Sequence, residues 1–197
     1  MGKWIGIGIV VLVLVAGASG ASTYNSLVTL DQSVQAQWAQ VENVYQRRAD
    51  LVPNLVETVK GAAAFEKDTY TAVAEARAKV GQVSAGDIAN NPEAFARFQQ
   101  AQDGLSSALS RLMVVVERYP DLKATQNFRD LQAQLEGTEN RITVERMRFT
   151  QAAQAFNTTR MSFPTVLIAG FFGGRFNEKP YFKSQAGAET APKVDFK

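Results

Sequence analysis

The side chains that could do acid–base, metal or ion-pair chemistry in this chain are carboxylates, lysines and arginines. Glu136 and Asn140 stand four residues apart. On a helix that spacing puts two oxygen ligands on one face, the beginning of a hard-cation site. Calcium takes about six to eight oxygens, and helix surfaces offer such pairs by chance, so no metal site is assigned. Glu139 and Glu145 lie in the same stretch, and Arg47 and Arg48 far earlier. These four are candidates for a structural ion-pair network. The sequence contains no cysteine and no histidine. Thiol nucleophiles, disulfides and Cys/His-ligated zinc, haem or clusters are therefore excluded, as is an imidazole general base. Lack of cysteine does not fix a compartment. Gly170-Phe171-Phe172-Gly173-Gly174 is apolar and precedes no helical pattern, so it is no phosphate loop. No catalytic residue, metal site or cofactor is assigned.

The chain has 197 residues, 46% hydrophobic and 20% charged, with a formal net charge of +2. Residues 1–162 carry equal numbers of basic and acidic side chains, and the excess lies in residues 163–197. Nucleic-acid binding needs a dense basic stripe, and none is present, so nucleic acid is not an expected partner.

The elements that must position these residues begin with a greasy segment. Residues 4–21 read WIGIGIVVLVLVAGASGA, and no charge falls between Lys3 and Asp31. Eighteen helical residues span about 27 Å, close to a hydrocarbon core of about 30 Å. The apolar side chains are Ile5, Ile7, Ile9, Val10, Val11, Leu12, Val13, Leu14 and Val15, with Trp4 and Tyr24 as interfacial rings at either end. The spacing predicts a retained membrane anchor over residues 1–22. The alternative is a cleaved signal peptide, with Ala16-Gly17-Ala18 as its small-residue site. Lys3 precedes the span and no Lys or Arg follows before Arg47. The positive-inside rule then places the N-terminus in the cytoplasm and the domain outside. Gly2/Gly6, Ala16/Gly20 and Gly17/Ala21 repeat small residues at spacing four, either a helix-packing face or ordinary membrane-helix composition.

Helical spacing continues through Leu27, Leu30, Val34, Trp38, Val41, Val44, Leu51, Leu55, Val59, Ala62 and Phe65, with Arg48 in one core-facing slot. The pattern predicts one long helix to about Val80, kinked near Ala49–Pro53 because proline removes a backbone bond and clashes with the preceding turn. Residues 81–91 are polar loop. Asn91-Pro92-Glu93 is a helix start, with a cap, a proline at the first position and an acid in the first turn. Phe95, Phe98, Gln102, Leu105, Leu109, Leu112, Val116 and Tyr119 predict a second helix over about 92–118. After Tyr119-Pro120-Asp121, a third follows over about 121–161, with Phe128, Leu131, Leu135, Thr138, Ile142, Glu145, Phe149, Ala152 and Phe156 on one face. The short connection makes these two antiparallel neighbours. The fold class is all-α: one transmembrane helix, an antiparallel bundle of three or four long helices over 23–162, and a short non-helical aromatic tail over 163–197.

Arg48, Thr138 and Glu145 fall at core-facing slots. A buried charge is tolerated when paired, so the expectation is a structural network linking Arg47 or Arg48 to Glu139 or Glu145. In the tail, FPTVLIAGFFGGRF is too apolar for a solvated linker, while Pro164, Gly170, Gly173 and Gly174 argue against a long helix. The segment either packs on the bundle, forms a short hairpin, or presents Phe163, Phe171, Phe172 and Phe176 to lipid or a partner.

Several blocks carry a family resemblance. They are Tyr24-Asn25-Ser26-Leu27-Val28, Trp38-Ala39-Gln40-Val41-Glu42-Asn43, and the run from Tyr45-Gln46-Arg47-Arg48 through Leu51-Val52-Pro53-Asn54-Leu55 to Gly61. Glu75-Ala76-Arg77-Ala78, Glu117-Arg118-Tyr119-Pro120-Asp121-Leu122-Lys123-Ala124, Leu135-Glu136-Gly137-Thr138-Glu139-Asn140-Arg141-Ile142, Val144-Glu145-Arg146 and Pro192-Lys193-Val194-Asp195-Phe196 extend the likeness to the C-terminus. Together these blocks resemble the LemA family, and the resemblance implies a bacterial protein with one N-terminal membrane helix and a long-helix bundle. Some members resemble magnetosome-membrane proteins, and some sit in genomic company with membrane metalloproteases of envelope stress. No enzymatic activity is established for the family, so the resemblance supplies no catalytic residues. Some members carry a lipobox cysteine before the Tyr-Asn, where this chain has Gly20-Ala21-Ser22. That departure removes lipidation and favours a retained helix.

The expected function is a non-enzymatic, membrane-anchored helical scaffold or adaptor of the bacterial envelope. Its expected partners are the lipid bilayer, further copies of itself through coiled-coil-like seams, and another envelope protein such as a metalloprotease. The expected location is the inner membrane. The alternative is a membrane-organising or curvature-related protein that uses the aromatic tail at the lipid interface.

Overall fold

A computed structural model describes residues 2–62, 67–83 and 86–183. The described residues form helices and no strand. They are α1 (Gly2–Ala62), α2 (Lys67–Val83), α3 (Pro92–Val116), α4 (Pro120–Lys123), α5 (Gln126–Met161) and α6 (Thr165–Phe171). A 3₁₀ turn, Gly173–Phe176, then leads into an extended segment to Lys183. The 61 residues of α1 make a rod about 90 Å long.

From Leu27 onward α1 forms an up-down-up-down bundle with α2, α3 and α5. Trp38 stands beside Phe149 at 5.3 Å between ring centroids, and Arg48 beside Glu139, so α1 and α5 are antiparallel. Phe98 meets Trp38 at 5.2 Å and Tyr45 at 5.1 Å, while Ser106 meets Arg48, so α3 runs in the direction of α1. The Arg77 Nε donates to the carbonyl of Ala49 at 2.9 Å, which lays α2 back along α1.

Local chemistry explains the helix ends. Asn91 Oδ1 accepts from the backbone N–H groups of Glu93 and Ala94 at 3.0 and 3.1 Å, satisfying two donors that a helix N-terminus leaves open. Pro92 occupies the first helical turn of α3. Thr125 caps α5 by accepting from Phe128 N. The stretch read as one helix from 121 is therefore one short turn, α4, and then α5.

Two expectations are corrected. The first helical segment does not run on to Val80; the chain reverses between α1 and α2. Residues 63–66, including the seam position Phe65, lie outside the described residues. A continuing helix would carry Val73 and Val80 beyond the other seams. Folding back buries both, in a cluster with Val52, Leu55, Val59, Leu105 and Leu112. Pro53 lies inside α1 and is exposed. The tail is also not wholly non-helical. Pro164 precedes α6, which buries Thr165 and Ala169, one turn apart, against the bundle.

The core has two parts. One is aromatic: Trp38, Tyr45, Phe95, Phe98, Phe149 and Phe156, with Phe176 and the half-buried Phe182 from the tail. The other is mainly aliphatic and lies at the α1–α2 end. The tilted and edge-on rings around Trp38 are the arrangements favoured by aromatic quadrupoles. In contrast, the side chains from Trp4 to Val15 are uncovered, with Trp4 79% and Leu12 69% exposed. Among the described residues one helix is long and apolar enough to cross a membrane, and it is α1.

Candidate functional site: a buried arginine layer and a fastened tail

Arg48 lies where the two parts of the core meet, and it is 2% exposed. A guanidinium there must spend its donors on protein, because water cannot reach it. Nη1 donates to Ser106 Oγ at 2.9 Å and to Glu139 Oε1 at 3.0 Å. Nη2 donates to the Gln102 carbonyl at 3.2 Å and to Gln102 Oε1. The cation also lies 5.0 Å from the centre of the Tyr45 ring. Three helices are thus tied through one side chain. Burial pushes the Tyr45 hydroxyl above its ordinary 10.0, and Arg146 and Arg48 pull it partly back. Arg48 Nε and Gln102 Nε2 are buried without a hydrogen-bond partner.

Of the four residues singled out as a network, the structure brings together Arg48 and Glu139. Arg47 faces solvent. Glu145 is half-buried and pairs with Arg148 at 2.8 Å, one turn away on the same helix. The adjacent positions 47 and 48 point about 100° apart on a helix, and here position 48 faces the core while position 47 faces solvent. The Glu136 carboxylate accepts from Gln132 at 2.9 Å on an exposed face. Among the described residues no group of three or more Asp, Glu, His or Cys is placed to hold a metal.

A second polar cluster was not read from the sequence. Lys179 in the extended tail is 2% exposed. Its ammonium bonds Asp31 of α1 and Asn90 of the loop before α3, and lies 4.7 Å from the centre of the Phe156 ring. Asn157 of α5 clamps the backbone of the same residue. Its Nδ2 donates to the Lys179 carbonyl and its Oδ1 accepts from the Lys179 N–H, each at 2.9 Å. The Asn157 amide also donates to the Tyr181 hydroxyl at 2.8 Å. Further on, Arg146 donates to the Lys183 carbonyl at 3.0 Å and lies over the Phe182 ring. The only local signal for this path is the aromatic pair Tyr181-Phe182.

Lengths agree with that path. Phe176 meets Tyr24, and Phe182 meets Trp38. Six extended residues cover about 20 Å, and fourteen helical residues about 21 Å. The tail is therefore a strap laid along residues 24–38 of α1, the stretch that follows the apolar run. Phe176, read as a tail interface residue, is instead buried at 1% exposure because it closes the aromatic core. Phe172 packs on Tyr24 with ring centres 4.7 Å apart and planes tilted by 51°, and it keeps 45% exposure. Phe163 and Phe171 stay uncovered.

The LemA family model matches residues 37–196. The chain belongs to the LemA family. Magnetosome proteins MamQ 1 and MamQ 2 of Paramagnetospirillum magneticum (strain AMB-1) are each 27% identical over 184 residues, covering 85% of this chain and 67% of the relative. Magnetosome protein MamQ of Magnetospirillum gryphiswaldense (strain MSR-1) has the same identity and coverage. The LemA match takes in the Arg48 layer, the Lys179 clamp and the strap, and begins after the apolar run.

Proposed function

We propose that this LemA-family protein is a membrane-anchored, non-enzymatic helical scaffold or adaptor of the bacterial envelope. The observation that carries the reading is the continuity of α1, whose first third is apolar and uncovered while the remainder is the central strut of a bundle. Lipid is the solvent such a segment suits. The absence of imidazole and thiol from the sequence supports a non-catalytic role. So does the way the buried ionic groups are used, since Arg48 and Lys179 are both engaged in tying helices together. Lys3 before the span supports a reading with the N-terminus in the cytoplasm and the bundle on the outer side of the inner membrane. The expected partners are further copies of the chain and another envelope membrane protein, for example a metalloprotease.

A second reading, a membrane-organising protein, is favoured by the exposed apolar residues of α6 and by the magnetosome names of the relatives. The scaffold reading is tested by extracting the full chain in mild detergent and measuring its mass by light scattering, alongside proximity labelling from the distal end of the bundle in cells. A defined oligomer, with reproducible labelling of an envelope protein, supports it. A strict monomer that labels no envelope protein above a bilayer-anchored control contradicts it.

A further inference from the structure

Uncovered apolar surface is not confined to the anchor. Residues 163–174, FPTVLIAGFFGG, carry no charged side chain. α6 turns Thr165 and Ala169 into the bundle and leaves Leu167 and Phe171 outward, 64% and 85% exposed, with Phe163 at 81% just before it. Leu167 and Phe171 are four residues apart and share one helix face. A patch of this kind marks contact with a partner or a membrane.

Its place in the fold indicates which. A Cβ added to Gly20 would lie 3.9 Å from Ile168 Cδ1, so α6 rests against α1 at the last turn of the apolar run. Leu167, Ile168, Phe171 and Phe172 line an open apolar cleft of about 480 Å³ against Gly20 and Tyr24. That is the level at which hydrocarbon gives way to headgroups once residues 4–21 span a bilayer. The patch cannot swing inward to bury itself. Arg160 Nε holds the Phe176 carbonyl, Phe176 is buried, and Lys179 is clamped beyond it. Arg175, exposed and 5.8 Å from the centre of the Tyr24 ring, adds a cation at the same level, suited to lipid phosphates.

We infer that α6 with Phe163 is a second membrane contact: Leu167 and Phe171 enter the headgroup–acyl boundary of the leaflet that α1 leaves, and Arg175 faces its phosphates. The inference rests on the reading of α1 as a membrane span. A single helix leaves its own tilt and rotation to its surroundings. A second insertion beside it, fixed to both α1 and α5, sets the direction in which the bundle leaves the bilayer.

The cysteine-free sequence makes the test direct. Single spin labels are placed on the full chain at Leu167→Cys, Phe171→Cys, Val13→Cys in the anchor and Ser110→Cys on the exposed side of α3. Each protein is reconstituted in nanodiscs of phosphatidylcholine and phosphatidylglycerol. Collision with oxygen is then compared with collision with a water-soluble nickel chelate. The expected result is an oxygen-to-nickel ratio at 167 and 171 several-fold above that at 110 and shifted toward that at 13. Ratios at 167 and 171 equal to that at 110, with 13 still in lipid, overturn the second contact and leave the anchor standing. Nickel access at 13 overturns the anchor and the inference with it. Labels at 167 and 171 shielded from both reagents, with spin–spin broadening between chains, assign the patch to a second copy and overturn the lipid assignment.

Discussion

Replacing Arg48 by alanine tests how the bundle uses its buried charge. Removal of the guanidinium strands Gln102, 3% exposed, whose side-chain oxygen loses the Nη2 donor. A buried polar group left unpaired costs about 1–3 kcal/mol. Ser106 still donates to the Gln102 carbonyl at 3.1 Å, so that acceptor is not orphaned. Glu139 is 42% exposed and rehydrates, contributing about 1 kcal/mol at most. Loss of the cation over Tyr45 and of the aliphatic stem adds about 1–2 kcal/mol. Arg48→Ala is thus expected to cost about 2–6 kcal/mol, which brackets the range for breaking a buried pair from one side. Glu139→Gln is expected to cost about 1 kcal/mol or less. Arg48→Leu combined with Gln102→Leu, which joins the two apolar regions, is expected to recover much of the loss. Urea unfolding of the full chain in detergent micelles is followed by Trp38 fluorescence in a Trp4→Phe background, since Trp38 sits inside the aromatic core. An Arg48→Ala cost below about 1 kcal/mol, or a double variant no more stable than Arg48→Ala, would show that the layer is not a load on the fold.

Three further outcomes are expected. The folded state holds the Tyr45 hydroxyl above its ordinary 10.0, so this group's stabilisation is complete below about pH 10 and is lost as pH rises through the higher folded value. Tyr45→Phe should flatten that alkaline decline relative to the parent chain, and an unchanged decline in urea midpoints would contradict the assignment. Lys179→Met leaves Asp31, 20% exposed, without its ammonium partner and is expected to cost about 3 kcal/mol, the low end for a pair broken from one side; hydrogen exchange at 177–183 should speed up by at least tenfold, whereas parent-like protection would mean that Asn157 alone holds the strap. Asn91→Ala removes the acceptor for two N–H groups of α3 and is expected to cost about 1 kcal/mol, read from the same urea curves.

The long helices were legible because their seams are long. The positions Phe95, Phe98, Gln102, Leu105, Leu109, Leu112 and Val116 are all buried, and Asn91-Pro92-Glu93 marks the start of α3 by cap chemistry visible in three letters. Arg48 stood out as a charge in an apolar slot. The reversal before α2 was not legible, because the apolar period continues on both sides and Gly61, the one stop signal in Gly61-Ala62-Ala63-Ala64-Phe65, is followed by helix-favouring alanines and no proline. The fate of Lys179 was hidden for another reason. Its partners Asp31 and Asn90 are 148 and 89 residues away, and nothing in Asn177-Glu178-Lys179-Pro180 distinguishes a core lysine from a solvated one. Phe176 looked like an exposed aromatic because local composition cannot tell which rings of an apolar tail turn inward.

The membrane root of α1 is tested most directly by the intact mass of the native protein recovered from membranes after alkaline carbonate washing. An uncleaved span predicts that the protein stays in the membrane pellet and retains residues 4–21. A carbonate-soluble protein, or a mass lacking residues 1–22, would contradict it.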